Sequence, residues 1–218
     1  MGTQDGVDGI RPLTRDRLLQ GVAELCDRDA DLAHVVDRFG APPLWARKPG
    51  FATLVRIVLE QQVSLSSAKA TYERLRAELG SVTAQLVAQL EVADLRALGI
   101  TRQKADYCSN LARLIVKGEL DLRQIARADD NTARQRLCAI RGVGPWTADI
   151  YLLIALRRQD VWPDGDLALT EAARRIKRLR KRPTAERLRR ITNRWKPWRA
   201  VAARMLWHLY LSERNRGP

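Results

Sequence analysis

The stretch Leu137-Cys138-Ala139-Ile140-Arg141-Gly142-Val143-Gly144-Pro145-Trp146-Thr147-Ala148 constrains this chain more than any other. It joins the end of one apolar helix to the start of another through a Gly-x-Gly hairpin. Gly142 and Gly144 suit the positive φ of a tight turn and put no side chain in the path of an approaching group. Pro145 suits the first turn of the next helix, expected over about Trp146 to Leu156. That helix begins with backbone N–H groups and the positive end of its dipole facing outward, which attracts anions. Such a hairpin grips a phosphate backbone without reading bases. A lone Gly-x-Gly would be better explained as a plain turn, but here the flanking apolar helices match as well.

Charge narrows the anion. Lys and Arg number 39 against 25 Asp and Glu, a formal net charge of +14, so a polyanion is the first partner to consider. Solubility is the plain alternative, and the distribution argues against it. Basic residues crowd the C-terminal third: Arg174-Arg175, Lys177-Arg178, Arg180-Lys181-Arg182, Arg187, Arg189-Arg190, Arg194, Lys196 and Arg199. The run from Arg174 to Arg182 is expected to touch phosphate, with a solvated helix face as the rival explanation. Cys26, Cys108 and Cys138 are far apart and form no Cys-x-x-Cys pair, which fits neither a disulfide framework nor a zinc site. Met1 to Pro12 is polar and reads as no signal peptide. No apolar run approaches the roughly 20 residues of a membrane span. These features together point to a cytoplasmic, chromosome-associated protein.

Helical periodicity recurs almost everywhere. Phe51, Leu54, Val55, Val58 and Leu59 share one face; Ala68, Tyr72, Leu75 and Leu79 a second; Ala105, Cys108, Leu111, Ala112 and Ile115 a third. Breaks fall at Gly40-Ala41-Pro42-Pro43, Lys48-Pro49-Gly50, Leu79-Gly80-Ser81, Leu98-Gly99-Ile100-Thr101 and Lys117-Gly118. The pattern predicts an all-α fold of about ten helices. Two lobes are expected. Residues 51–155 form a central lobe including the hairpin at about 132–156, while residues 1–50 pack with 156–218, the aspartate loop and basic helices. A ligand is expected in a cleft between them.

Asp160-Val161-Trp162-Pro163-Asp164-Gly165-Asp166-Leu167-Ala168-Leu169 follows the hairpin helix. Pro163 and Gly165 make it a loop, and Asp166 stands where an N-cap belongs, before a helical pattern over Leu167 to Arg180. A hairpin followed by such a loop resembles the helix-hairpin-helix (HhH-GPD) DNA glycosylase superfamily. Leu59-Glu60-Gln61-Gln62-Val63-Ser64, the hairpin, Gly165-Asp166-Leu167-Ala168-Leu169 and Trp195-Lys196-Pro197-Trp198-Arg199 are most similar to its alkylation-repair branch, DNA-3-methyladenine glycosylase II. The resemblance covers about residues 45 to 210 and implies a two-lobed helical fold without an N-terminal β domain.

By the same resemblance Asp166 is the catalytic carboxylate, stabilising an oxocarbenium-like sugar, activating water, or both. Trp146 and Trp207 line the base pocket, with core packing as the rival role. Gly142, Val143, Gly144 and Thr147 hold DNA, and Gln61 or Gln62 wedges into the duplex, with a solvated helix terminus as the rival reading of the glutamines. Trp146 stands where lyase relatives carry a lysine, and a tryptophan forms no Schiff base. Ile150 replaces a pocket tyrosine of some relatives. No cofactor is implied beyond a monovalent cation on hairpin carbonyls. The implied activity is a monofunctional glycosylase acting, as a monomer, on damaged bases in double-stranded DNA. The alternative is a non-catalytic helix-hairpin-helix DNA-binding or lesion-sensing protein.

Overall fold

The computed structural model describes residues 12–214, so the polar stretch read as lacking a signal peptide lies, apart from Pro12, outside the described residues. Among the described residues the chain is all-helical, with thirteen α-helices, one π-helical turn and no strand. The count exceeds the ten expected because several helices are only five or six residues long, too short to show a periodic apolar face.

One compact unit spans Arg47–Tyr151. Its helices are α3 (Phe51–Glu60), α4 (Leu65–Leu79), α5 (Ala84–Ala88), α6 (Val92–Ala97), α7 (Arg102–Val116), α8 (Leu122–Arg127), α9 (Asp130–Cys138) and α10 (Pro145–Ile150). Helix α3 is buried on nearly every side, from Phe51 to Leu59, and packs against α4, α7 and α10. Helix α7 buries Ala105, Cys108, Leu111 and Ala112 and receives α3, α5 and α6. Polar caps start most of these helices: Ser64, Thr83, Thr101, Asp121 and Asp129 each accept from a backbone N–H one turn in.

The other unit joins the chain up to Ala46 with the chain from Leu152. It contains α1 (Arg15–Arg28), α2 (Ala30–Phe39), α11 (Leu167–Ile176), α12 (Ala185–Asn193) and α13 (Arg199–Arg214). Helix α13 is the spine, buried from Ala200 to Leu206 against α1, α2 and α11. Trp195 and Trp198 of the Trp-Lys-Pro-Trp motif are buried, and their indoles donate to Asp29 (2.8 Å) and Glu24 (2.6 Å). The motif therefore anchors the basic C-terminal helices to α1 and α2.

Two expected helix ends move. The hairpin helix keeps α form only to Ile150 and continues as a π turn over Tyr151–Ala155. There the guanidinium of Arg204 claims the Leu153 carbonyl at 2.8 Å, the kind of side-chain intrusion that widens a helix. Helix α11 stops at Ile176 rather than Arg180. Arg178 takes a left-handed φ of +50° and the Leu179 N–H returns to the Arg174 carbonyl, a Schellman-type closure without glycine.

Candidate nucleic-acid interface and active site

The hairpin lies between α9 and α10, with Val143 N–H donating to Ile140 O at 3.0 Å. Gly142 has φ +89°, as expected, but Gly144 does not share it: it is the N-cap of α10 with φ −84°. The two glycines serve different ends. A Cβ at Gly142 would meet the Tyr107 ring at 2.2 Å, so this glycine permits close packing on α7. A Cβ at Gly144 would meet nothing within 4 Å, so its bareness opens toward the space where an anion would approach the start of α10. Pro145 occupies the first turn of α10, as expected. Asp149, buried, pairs with Arg134 at 2.5 Å and ties α10 to α9.

Val143 and Thr147 are buried, 4% and 2% exposed, so neither side chain offers itself to a duplex. Thr147 Oγ1 accepts from Gln61 Nε2 at 2.8 Å. Gln61 also donates to the Gly142 carbonyl at 2.9 Å, which turns it inward, whereas Gln62 is exposed with φ +55°. Of the two glutamines named as wedge, only Gln62 stands out into solvent. Trp146 is half-buried near the start of α10, and Ile150 is buried.

Asp166 caps α11: its Oδ1 accepts from Leu169 N–H at 2.9 Å, as a helix-start aspartate should. The same oxygen lies 3.4 Å from Trp207 Nε1. The structure thus brings Asp166 and Trp207 together through the indole N–H, a contact that the pocket-lining expectation did not include. Thr170 Oγ1 donates to the Asp166 carbonyl at 2.7 Å and fixes the residue from behind. Asp166 is half-buried, and Leu167 beside it is 71% exposed. A carboxylate held in one orientation yet reachable is suited to stabilising positive charge that develops on a bound molecule.

Two residues of this region escaped the sequence reading. Arg204, one turn before Trp207 on α13, is fully buried and donates to the carbonyls of Leu44, Ala200 and Leu153. Burial, and then the nearby charge of Arg157, lowers its pKa to about 9, so it is still cationic at neutral pH. Its signal was an arginine inside the solid apolar run Ala200 to Leu206. Trp45 has φ +45° and packs edge-on to His208 at 6.2 Å, and His208 meets the Phe39 carbonyl at 2.9 Å. A left-handed non-glycine residue of this size is rare enough to mark a constrained position.

Part of the basic run pairs with acids, while Arg178, Arg180 and Lys181 are exposed. Arg174, Arg175 and Arg182 converge on Glu171, and Arg175 also reaches Glu213. The Arg174 and Arg175 bonds pull the Glu171 carboxyl down to about 2. Lys177 pairs with Asp29 and Asp31, and Arg199 with Asp160. Burial would raise Asp29, but the Lys177 and Trp195 hydrogen bonds outweigh it and hold it below the usual carboxylate range.

An all-helical chain with a bare glycine at a helix start and a capped, reachable aspartate falls in the class of helix-hairpin-helix proteins. Residues 55–197 match the HhH-GPD superfamily base excision DNA repair protein model, and the chain belongs to that superfamily. It is 27% identical over 220 residues to a DNA-3-methyladenine glycosylase of Bacillus subtilis, spanning 89% of this chain and 73% of that protein. DNA-3-methyladenine glycosylase 1 of Schizosaccharomyces pombe is 28% identical over 165 residues, 74% of this chain and 72% of its own length. The fold superposes on the S. pombe 3-methyladenine DNA glycosylase Mag1 in complex with abasic DNA with a TM-score of 0.79 at 25% identity, covering 89% and 97% of the two chains. Among the described residues no helix is long and apolar enough to cross a membrane.

Proposed function

We propose that this chain is a monofunctional DNA glycosylase of base excision repair that acts as a monomer. It hydrolyses the N-glycosidic bond of alkylated bases, 3-methyladenine among them, in double-stranded DNA and leaves an abasic site. The observation that carries the reading is Asp166, oriented by Leu169 N–H and Trp207 Nε1 and only partly buried.

Rupture of the bond between C1′ and the base nitrogen leaves oxocarbenium character on the deoxyribose, and water then adds to C1′. A carboxylate about 4 Å away, at an effective dielectric near 20, lowers the energy of that charge by about 4 kcal/mol. That is roughly a thousandfold in rate. In this reading Asp166 also takes the proton that the attacking water gives up. An alkylated purine is already cationic and departs neutral with the bonding pair, so no dedicated general acid is required. The half-buried indole of Trp207, beside Asp166, suits such a cation through stacking and cation–π attraction. Extruding the base costs a few kcal/mol, least for damaged or mispaired bases, which favours them before the pocket is reached.

The hairpin supplies neutral carbonyl oxygens, of which Gly142 O already accepts from Gln61 and Ile140 O from Val143. A carbonyl has a second lone pair, so Ile140 O and Gly142 O would be able to hold a monovalent cation. Among the described residues no group of three or more His, Cys, Asp or Glu could hold a metal ion. Hairpin carbonyls of this kind would orient such a cation, which would contribute charge toward phosphate.

The deciding assay incubates wild type and Asp166→Asn with methylated duplex and measures free 3-methyladenine. Wild type releases it, and the variant is slower by about a thousandfold while still binding DNA. Equal release removes Asp166 from the chemistry. Tight binding to an abasic analogue without release by wild type makes the chain a lesion sensor. Borohydride trapping of a covalent adduct would revive lyase chemistry despite Trp146.

A further inference from the structure

The turn after α3 is held from two sides. On one side, Lys104 Nζ of α7 donates to the carbonyls of Leu59 and Gln61, both at 2.7 Å, capping the last turn of α3. Burial lowers the Lys104 pKa, the cost of placing an ammonium group there. On the other side, Gln61 uses its amide N–H groups on Gly142 O and Thr147 Oγ1 across the hairpin. Thr147 is buried, so the contact is sheltered from water. Between these fixed points Gln62 is exposed in a left-handed conformation, and Ser64 closes the turn by capping α4 through Ser67 N–H.

We propose that Gln61 is a positioning residue that ties the wedge Gln62 to the hairpin, so that gripping the backbone and propping open the vacated stack become a single coupled act. The proposal rests on the glycosylase reading and assigns a partner to the wedge within the chain itself. Two acceptors face the Gln61 amide, so the position requires a double N–H donor of this length. Asparagine is too short, glutamate brings acceptors against acceptors, and methionine keeps the length but donates nothing. Contact within the loop alone would hold Gln62 only relative to α3. The bond to Gly142 O holds it relative to the turn that receives phosphate.

The test uses the full chain and a duplex carrying 2-aminopurine beside an abasic-site analogue, with stopped-flow fluorescence reporting opening of the stack. Gln61→Met opens the stack about tenfold more slowly than wild type, a loss well beyond any change in its affinity for undamaged duplex. Thr147→Val, which removes one acceptor and leaves the glutamine in place, shows a smaller loss in the same direction. In a Gln62→Ala background, Gln61→Met costs nothing further, because the element it positions is gone. Wild-type opening by Gln61→Met overturns the proposal, as does an equal loss of undamaged-duplex affinity or a full additional loss in the Gln62→Ala background. Should Gln61→Met fail to fold by circular dichroism, Thr147→Val alone and with Gln62→Ala decides by the same criteria. A wild type that opens the stack but releases no base from methylated DNA defeats the glycosylase reading and leaves the coupling intact.

Discussion

The hairpin and the arginine-rich C-terminal helices handle charge in opposite ways. At the hairpin the features proposed to meet phosphate are neutral: a bare Gly144, the start of α10 and the Gly142 carbonyl held by Gln61. In α11 and its surroundings cations are abundant and many are engaged, with Arg174, Arg175 and Arg182 on Glu171 and Lys177 on Asp29 and Asp31. The net charge of +14 therefore describes the field around the protein better than it locates the surface that touches DNA. Arrangement of a few uncharged groups outweighs a count of arginines.

The strongest challenge to this contrast is at the two glycines. Gly142→Ala forces a Cβ into Tyr107 at φ +89°, and we expect about a hundredfold weaker binding to an abasic-analogue duplex together with a clear fall in thermal midpoint. Gly144→Ala meets open space, so its midpoint stays near wild type while binding weakens by about tenfold. Calorimetry and fluorescence anisotropy separate the two outcomes, and a Gly144→Ala chain that binds like wild type removes the open space from the interface.

Salt sharpens the other half. Each neutralised phosphate contributes about −0.9 to the slope of log affinity against log salt. Arg174→Ala is expected to leave that slope unchanged, since Arg174 already faces Glu171, whereas replacing the exposed Arg194 of the segment after α12 reduces its magnitude by about 0.9. A reduced slope for Arg174→Ala would return that arginine to the DNA surface.

The smallest effect is with acid. Glu171 sits at about 2 in the fold against an ordinary 4.5, so its contribution to stability is complete above 4.5 and drains away as pH falls toward 2. Asp29, also lowered, acts with the same sign. Thermal midpoints followed from pH 5 to 2 should drop through that window, and Glu171→Gln should flatten part of the drop.

Much of the site was legible because its signals are local. The Gly-Val-Gly-Pro-Trp string encodes a turn, a bare helix start and a first-turn proline within five residues. Asp166 announces a cap by standing between Gly165 and an apolar helix. What stayed hidden depends on distant partners. The Gln61 amide meets Gly142 across 81 residues of sequence, and no neighbour of Gln61 in the chain foretells it. The same holds for the cations from Arg174 onward, whose acids are scattered over the α1–α2 junction, α2, the loop at Asp160, α11 and α13. The short helices α5, α6 and α8 were invisible to periodicity for want of length, although Thr83 and Asp121 marked two of their starts. Gly144 shows the limit of the turn argument: a glycine can be required for absence of bulk rather than for its φ.

The ring of Tyr107 lying directly under Gly142 means that neither position is free to drift alone. A descendant chain that acquired a side chain at 142 would have to shrink residue 107 and accept a strained backbone as well. A smaller residue at 107 would leave a hollow beneath the turn. The pair is thus a ratchet on divergence, and relatives that differ at one of the two sites are expected to differ at the other.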